Sequence, residues 1–269
     1  MSTASIAPSR PELIDHLVRT RIAGDVATTR EHNRNNYREC AAGNPRYLLG
    51  LDVHERWTEA DVLALMADRV GVSPDPEHVA GADTIDPELV VDGLDRMATA
   101  LRKAADARRR VLVATGHPGA LLDTHRAIAT ALQAAGCELV SVPEDLRVGP
   151  GSDESYGLVQ QIGGVAVLER GASLWHTHAP EPMWAILDSL EARGRELPEF
   201  VVADHGWAGA AGWRGIDTVG FADSNDPALF LGEAEGTLAV TVPLDDHVTD
   251  SRYYEPVTAY LLQAAGLAG

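Results

Sequence analysis

Apolar residues recur at helical spacing through the first third of the chain. A four-residue apolar stripe predicts an amphipathic helix over residues 10–22. Capping residues followed by further apolar stripes predict two more helices, over residues 58–70 and 86–108. The pattern therefore predicts a helical region over residues 1–108, which either packs on the remainder of the chain or covers a site as a lid or cap.

Residues 30–38 interrupt this pattern because they are almost entirely polar. The stretch is rich in arginine and asparagine and has no apolar face that would define a buried helix. Two interpretations stay open. The segment is either a solvated helix or loop, or a polar strip that lies over a ligand pocket.

From residue 109 onward, short β-branched runs alternate with helical stretches, as in parallel sheets with crossover helices. The predicted strands are Val111–Thr115, Cys137–Val142, Val165–Glu169, Phe200–Asp204, Ile216–Phe221 and Leu238–Val242. The predicted helices cover residues 119–135, 180–194, 206–212, 227–233 and 254–265, and residues 144–157 are predicted to form a loop. The fold class is therefore α/β, with the helical region followed by a doubly wound, mostly parallel Rossmann-like sheet over residues 109–269 that carries the site.

Acidic residues and histidines collect directly after the predicted strands. Ligands of such folds bind outside the carboxyl ends of the strands, so these side chains are expected to surround a site. Asp204 and His205 follow the fourth strand and are the leading catalytic candidates. His117 follows the first strand, and either histidine would deliver a proton to a leaving group.

Glycines and arginines are the candidates for substrate binding. Gly116 and Gly119 lie in a strand-to-helix turn whose backbone amides suit an anion, although a tight turn alone would also require glycine. Arg170, or Arg30 and Arg38 from the helical region, would hold a phosphate group through paired hydrogen bonds.

Carboxylate, amide and imidazole groups in the same half of the chain suggest a divalent cation, Mg²⁺ or Mn²⁺. Three oxygen-bearing side chains, Asp223, Asn225 and Asp226, follow the fifth strand. Asp226 precedes Pro227 and is therefore assigned to a helix N-cap and not to the metal. The candidate metal ligands are Asp204, Asp223, Asn225, Asp245, Asp246, His247, His176 and His178.

The charge supports a cation. The chain has 40 acidic and 22 basic residues and a net charge of −18, with most of the excess after residue 110. A carboxylate-rich pocket is relieved of repulsion when it binds divalent metal, whereas phosphate backbones need a basic face. A nucleic-acid partner is therefore not expected. Lys103 is the one lysine, so lysine chemistry has a single candidate.

The remaining composition is typical of a globular protein. The apolar runs are too short for a membrane helix, and the N-terminus has no secretory pattern, so a cytoplasmic protein without a membrane partner is expected. Cys40 and Cys137 are isolated, which excludes a disulfide framework or a cysteine zinc cluster. A homo-oligomer is left open.

Seven segments together resemble a family of actinobacterial proteins labelled simply phosphatase. They are RIAGDV, GADTIDPEL, TGHPGALLDTHRA, ERGASLWHTH, VADHGWAG, ADSNDPALF and VPLDDHV. The resemblance extends from about residue 10 to residue 265 and implies hydrolysis of phosphate esters. Combined with the candidate residues, it favours a metal-dependent phosphatase that cleaves a phosphate monoester of a small metabolite by attack of metal-activated water.

Three better-known phosphatase chemistries do not fit the sequence. The first core strand ends in Thr115-Gly116-His117 instead of the Asp-x-Asp of the haloacid-dehalogenase class, and the Arg-His-Gly and Cys-x5-Arg signatures are missing. Two other functions remain open. The same residues would suit a metal-dependent hydrolase, isomerase or lyase that acts on a sugar or nucleoside, and also a non-enzymatic module that binds a small molecule.

Overall fold

The centre of the protein is a mixed β-sheet, seen here in a computed structural model that describes residues 7–53, 56–150, 156–248 and 250–268. Its strands are β3 Arg110–Ala114, β4 Glu138–Leu139, β5 Arg147–Val148, β6 Gly157–Ile162, β7 Val165–Arg170, β8 Ser173–Leu174, β9 Phe200–Asp204, β10 Asp217–Ala222 and β11 Val240–Pro243. The spatial order is β11-β10-β9-β3-β7-β6-β5, with β4 beside the start of β3 and β8 beside the end of β7. A separate antiparallel pair joins β1 Gly24–Thr29 to β2 Ala82–Ile85.

The five strands from β11 to β7 run parallel. Their side chains are nearly all buried, which is why they read in the sequence as continuous apolar runs. The parallel core of an α/β fold is thus confirmed, and five of the six predicted strands match these elements closely. The Rossmann-like, doubly wound arrangement stays a prediction.

The region between β3 and β7 differs from the prediction. Only Glu138–Leu139 of the predicted strand over 137–142 pairs with the sheet. The predicted loop over 144–157 contains β5 and the first residue of β6, although its residues 151–155 lie outside the described part. β6 turns into β7 through Gly163-Gly164, both in the left-handed region that a two-residue hairpin loop requires.

The helices surround this sheet. They are α1 Arg10–Thr20, α2 Arg30–Ala41, α3 Pro45–Leu48, α4 Glu59–Arg69, α5 Pro87–Asp106, α6 Pro118–Ala134, α7 Glu181–Ala192, α8 His205–Trp213, α9 Pro227–Ala234 and α10 Glu255–Ala264, with a 3-10 turn at Ser251–Tyr254. Helices α5, α6 and α10 pack on one another, and α8 packs between α7 and α9. Among the described residues, none of the helices combines the length and apolar character that crossing a membrane requires.

The N-terminal region is not purely helical, because it supplies β1 and β2. Its apolar residues, such as Leu17, belong to the same buried cluster as Val201 of the central sheet. Helices α2 and α4 also pack directly on α9. The region is therefore continuous with the core, and its proposed action as a lid stays a prediction.

The polar stretch over 30–38 forms most of α2, and its polar side chains are partly buried. Asn36 donates to the backbone carbonyl of Asn225 at 2.9 Å, and the Tyr37 hydroxyl donates to that of Ser224 at 2.7 Å. The missing apolar face is explained by this environment, because the helix packs through hydrogen bonds on the turn after β10.

Arg30 and Asp83 form a buried ion pair at the start of α2. Both side chains are fully buried, and the guanidinium lies 2.9 Å from the carboxylate. Arg30 also donates to the backbone carbonyls of Asp75 and His78. All of its nitrogens are thus engaged inside the protein, where they connect α2 to the segment that leads into β2.

We expect the substitution Arg30→Met to lower the free energy of unfolding by about 3–5 kcal/mol, because it leaves Asp83 buried without its charge partner. Arg38→Ala is the matched control, since Arg38 is exposed and bonds only to Asn35 among the described residues. Urea titration followed by circular dichroism measures both changes. Equal midpoints for Arg30→Met and the unchanged protein would show that the ion pair carries no stability.

Candidate metal centre

Three strand-to-helix turns place polar residues at one end of the parallel strands. β3 leads to His117 before α6, β9 ends at Asp204 before α8, and β10 leads to Asp226 before α9. These three residues occupy the N-cap positions, yet none of their side chains caps its helix. Their side chains instead meet in a shared polar centre. His117 lies beside Asp204, and Asp226 lies beside His178 and His205.

His205 lies at the middle of this centre and is fully buried. Its Nε2 atom is 2.9 Å from Asp226 Oδ2 and 3.2 Å from Asp246 Oδ2. Its backbone has φ 44°, in the left-handed region that few residues other than glycine adopt without strain. The backbone at this position would favour glycine, yet the residue present has a large imidazole ring.

Asp204 holds the opposite edge of that ring. Its Oδ1 lies 3.2 Å from His205 Nδ1 and also accepts from the Gly116 amide at 2.8 Å, while Oδ2 accepts from the Thr115 hydroxyl. Burial would raise the pKa of Asp204, but His205 and the other donors lower it below its usual value. Such a carboxylate fixes the tautomer of the histidine and directs its Nε2 outward as a ligand.

Three more histidines surround this pair. The ring of His117 lies 4.0 Å from that of His205, 3.8 Å from that of His176 and 4.9 Å from that of His178. Ligand atoms of His117, His178 and His205 all lie within 4.8 Å of one another, a separation that a metal ion can span. Burial first, and then the neighbouring imidazoles, hold the pKa of His117 well below its usual value, which favours the neutral ring, in which one nitrogen has a free lone pair for ligation.

Two glycines allow the segment of His176 and His178 to approach the sheet. A Cβ atom on Gly116 would lie 2.2 Å from the carbonyl oxygen of Thr177, and one on Gly206 would lie 2.1 Å from that of His178. Both distances are far below van der Waals contact. The glycines of the two motifs are therefore required for packing of this segment. The Gly116 amide already donates to Asp204, so it is not available for the anion site expected from the sequence.

A second group of ligands lies on the other side of Asp246. Atoms of Asp223, Asp245 and His247 fall within 4.8 Å of one another, with His247 Nδ1 3.3 Å from Asp223 Oδ2. Strand β1 orients both carboxylates, because the Thr28 hydroxyl donates to Asp223 at 2.6 Å and the Ala27 amide donates to Asp245 at 2.9 Å.

Proton affinities in the centre reflect its negative charge. Burial disfavours protonated His205, but Asp226 and Asp246 outweigh that effect and raise its pKa well above the usual value. Hydrogen bonds to Asp223 and Asp245 raise the pKa of His247 to about 11, and burial raises that of Asp223 to about 6. The same carboxylates that attract protons to these imidazoles would attract a divalent cation in their place.

A cavity of about 380 Å³ opens onto these residues. Its walls combine the histidine segment, the turn after β10 and residues from α2 and α3. They are His32, Asn36, Arg46, Tyr47, Trp175, His176, Thr177, His178, Asn225, Asp226 and His247. The polar centre is thus accessible to a small ligand, and Arg46 offers that ligand an exposed positive charge.

The structure brings together most of the residues predicted to form a site. The acids and histidines named as catalytic or metal-binding lie at this centre or along its cavity, namely Asp204, Asp223, Asn225, Asp245, Asp246, His117, His176, His178, His205 and His247. In the group of His117, His178 and His205, the imidazole beside His178 comes from His117, whereas His176, expected with His178 as a metal ligand, lies at the cavity wall. Their individual roles stay predictions.

The predicted substrate-binding arginines do not line the cavity. Arg30 is engaged in its buried ion pair, and exposed Arg38 bonds to Asn35. Arg170 stacks on Tyr156 and Trp175, with 4.6 Å between its guanidinium carbon and the ring of Trp175. Of these three, only Arg170 contacts a side chain of the cavity wall, namely Trp175.

Sequence reasoning missed several contributors. Asp226 looked like an N-cap, but it contacts His205 and His178 and makes no cap hydrogen bond. His125, whose Nε2 lies 3.8 Å from Asp204 Oδ2, is the second of two histidines in the motif TGHPGALLDTHRA, and no role was assigned to it. Nothing local in the sequence distinguishes Thr28 or Arg46, because each reaches the centre through a contact between distant segments.

We expect Gly116→Ala to weaken the binding of Mn²⁺ at least tenfold and to destabilise the fold by about 1–3 kcal/mol, because the added methyl group displaces the histidine segment. Gly119→Ala is the matched control, since a Cβ there meets no atom within 4 Å. Isothermal titration calorimetry with Mn²⁺ and thermal unfolding measure the two effects. Equal Mn²⁺ affinity in both variants would contradict the packing role of Gly116.

Comparison with known proteins agrees with the resemblance seen in the motifs. A family model described as Phosphatase matches residues 8–269. A relative from Streptomyces coelicolor, named Phosphatase SCO2771, is 64% identical over 261 residues, which cover 97% of each chain. The matched length includes every segment that builds the centre, and the chain therefore belongs to the Phosphatase family.

Proposed function

We propose that the protein is a metal-dependent phosphatase that hydrolyses a phosphate monoester of a small metabolite. The observation that carries the proposal is a set of buried ligand atoms without well-aligned hydrogen bonds at the base of the cavity. The set includes both ring nitrogens of His117, Nε2 of His205, Oδ2 of Asp226 and both oxygens of Asp246. Buried polar atoms are normally satisfied, and bound metal would satisfy the oxygens and the unprotonated ring nitrogens of this set.

The donor set suits a transition-metal ion. Imidazole nitrogen is a common ligand of such ions, whereas Mg²⁺ prefers an octahedron of oxygens. Of the two cations expected from the sequence, Mn²⁺ is favoured over Mg²⁺ by the three histidines His117, His178 and His205. When bound, such a cation neutralises phosphate oxygens and makes a water molecule nucleophilic.

The protein's own residues would then perform distinct tasks. Asp204 orients His205 through its Nδ1 atom, so that its position suits a supporting role more than direct catalysis. His176 lies at the cavity wall outside both ligand groups. Burial first, and then the neighbouring imidazoles, lower its pKa to about 4, so its neutral ring would donate a hydrogen bond to the substrate and not a proton. Arg46 would bind the phosphate or another anionic group of the substrate at the cavity rim.

The family relationship favours this function over the two alternatives. A relative named as a phosphatase covers nearly the whole chain, whereas neither a sugar or nucleoside lyase nor a binding module has such support. The cavity of about 380 Å³ suits a small substrate more than a protein or nucleic acid.

We expect release of phosphate from at least one sugar or nucleotide monophosphate when the chelator-stripped protein is supplied with Mn²⁺, and none in EDTA. The physical reason is that without a cation the cluster, in which carboxylates outnumber protonated imidazoles, would repel the substrate phosphate and would not activate a water molecule. A malachite-green assay over a panel of monophosphates measures the release. Turnover that persists in EDTA would overturn the metal, and no turnover by the folded, metal-loaded protein would overturn the phosphatase.

We expect Arg46→Ala to raise KM roughly tenfold or more with little change in kcat, because a hydrogen-bonded charge is worth about 1.5–3 kcal/mol. Arg38→Ala serves as the comparison, since it removes an exposed arginine of α2 that does not line the cavity. Steady-state kinetics on the best substrate separates them. A larger KM for Arg38→Ala than for Arg46→Ala would reverse the assignment.

A further inference from the structure

We infer that the centre binds two inequivalent cations joined by the carboxylate of Asp246. The inner position would be formed by His117, His178, His205 and Asp226, and the outer position by Asp223, Asp245 and His247. This inference rests on the proposed function, because it specifies the metal that function requires. It goes further by assigning number, ligands and preference to each position.

The position of Asp246 is the first argument. Its Oδ2 atom lies 3.2 Å from His205 Nε2 and 3.7 Å from His117 Nε2, on the side of the inner group. Its Oδ1 atom lies 3.5 Å from His247 Nδ1, on the side of the outer group. The two oxygens of one carboxylate thus face two separate sets of ligands, which is the arrangement of a bridging ligand.

The unsatisfied state of Asp246 is an independent observation. Its side chain is almost completely buried, and neither oxygen makes a well-aligned hydrogen bond in the described part of the chain. By contrast, Asp204 and Asp245, its neighbours in the centre, accept from backbone amides. A buried carboxylate that lacks such donors is a site for cations on both of its oxygens.

Charge balance supports two cations over one. Five buried carboxylates meet here, and among the described residues their ion pairs are all with histidine. They are Asp204, Asp223, Asp226, Asp245 and Asp246. With the imidazoles neutral, as ligation requires, the formal charge is −5. One divalent cation leaves −3, whereas two leave −1.

The ligand atoms make the two positions different. The inner group offers three imidazoles, two of them on buried residues, a set that selects a transition ion. The outer group offers carboxylates and a single imidazole, and His247 is partly exposed. We therefore expect the inner position to reject Mg²⁺ and the outer position to accept either Mg²⁺ or Mn²⁺.

The first experiment measures how many cations the full chain binds. The protein is stripped with chelator, dialysed against Mn²⁺ and analysed by plasma mass spectrometry, with protein concentration from amino-acid analysis. The inference requires two Mn²⁺ per chain, of which an excess of Mg²⁺ displaces one. A value of one Mn²⁺ per chain in an active phosphatase would overturn the two-cation centre and leave the proposed function intact.

Variants then test the assignment of ligands. Asp223→Asn is expected to retain one Mn²⁺ that Mg²⁺ does not displace, and His117→Asn is expected to retain one that Mg²⁺ does displace. Asp123→Asn, an exposed carboxylate on α6, is the matched control and should keep both. Loss of both ions in either single-group variant, with the circular dichroism spectrum unchanged, would contradict two separable positions.

Electron paramagnetic resonance of the Mn²⁺-loaded protein tests the bridge. Two Mn²⁺ ions that share a carboxylate are magnetically coupled, whereas isolated ions give a simple six-line spectrum. The unchanged protein should show the coupled spectrum, and Asp246→Asn should lose it. Asp246→Glu, which keeps the carboxylate, should recover part of the coupling even if Asp246→Asn binds too little metal to measure. An isolated-ion spectrum from the unchanged protein at two Mn²⁺ per chain would overturn the bridge.

Discussion

Repulsion among five buried carboxylates is the constraint around which this end of the protein is organised. Two unit charges 4 Å apart repel by about 4 kcal/mol at an effective dielectric constant of about 20. Several such pairs together rival the entire stability of a typical domain. Among the described residues, no arginine or lysine pairs with these acids. The repulsion is instead offset by imidazoles and by neutral hydrogen-bond donors. An arginine at this place would neutralise the negative charge permanently and would remove the electrostatic attraction for a cation.

The neutral donors come from parts of the chain that are far apart in sequence. Thr28 and the Ala27 amide orient the outer carboxylates, Thr115 and Gly116 orient Asp204, and α2 holds the turn after β10. Each of them fixes a carboxylate or a backbone turn without contributing a charge. The N-terminal region therefore positions residues of the site. It also shares the hydrophobic core of the sheet.

The sequence predicted the parallel strands and the gathering of acids and histidines because both follow from local patterns. Apolar β-branched runs mark β9 and β10, and the residues directly after parallel strands converge by geometry. It did not predict the antiparallel strands, because β5 and β8 have only two residues each and β1 and β6 lack a continuous apolar run. Asp226 and Arg30 were misassigned for a different reason. Whether an aspartate caps a helix, or an arginine faces a ligand, depends on contacts with distant segments that no local pattern records.

The strained backbone at His205 has a consequence for efforts to stabilise this protein. At φ 44° a glycine or asparagine would relieve conformational energy that the histidine retains. A replacement that relieves this strain would also remove the central imidazole, which is the form that a stability–activity trade-off takes at a strained site. Position 205 is therefore one where selection for durability and selection for chemistry pull in opposite directions, and the histidine present shows which of them has prevailed.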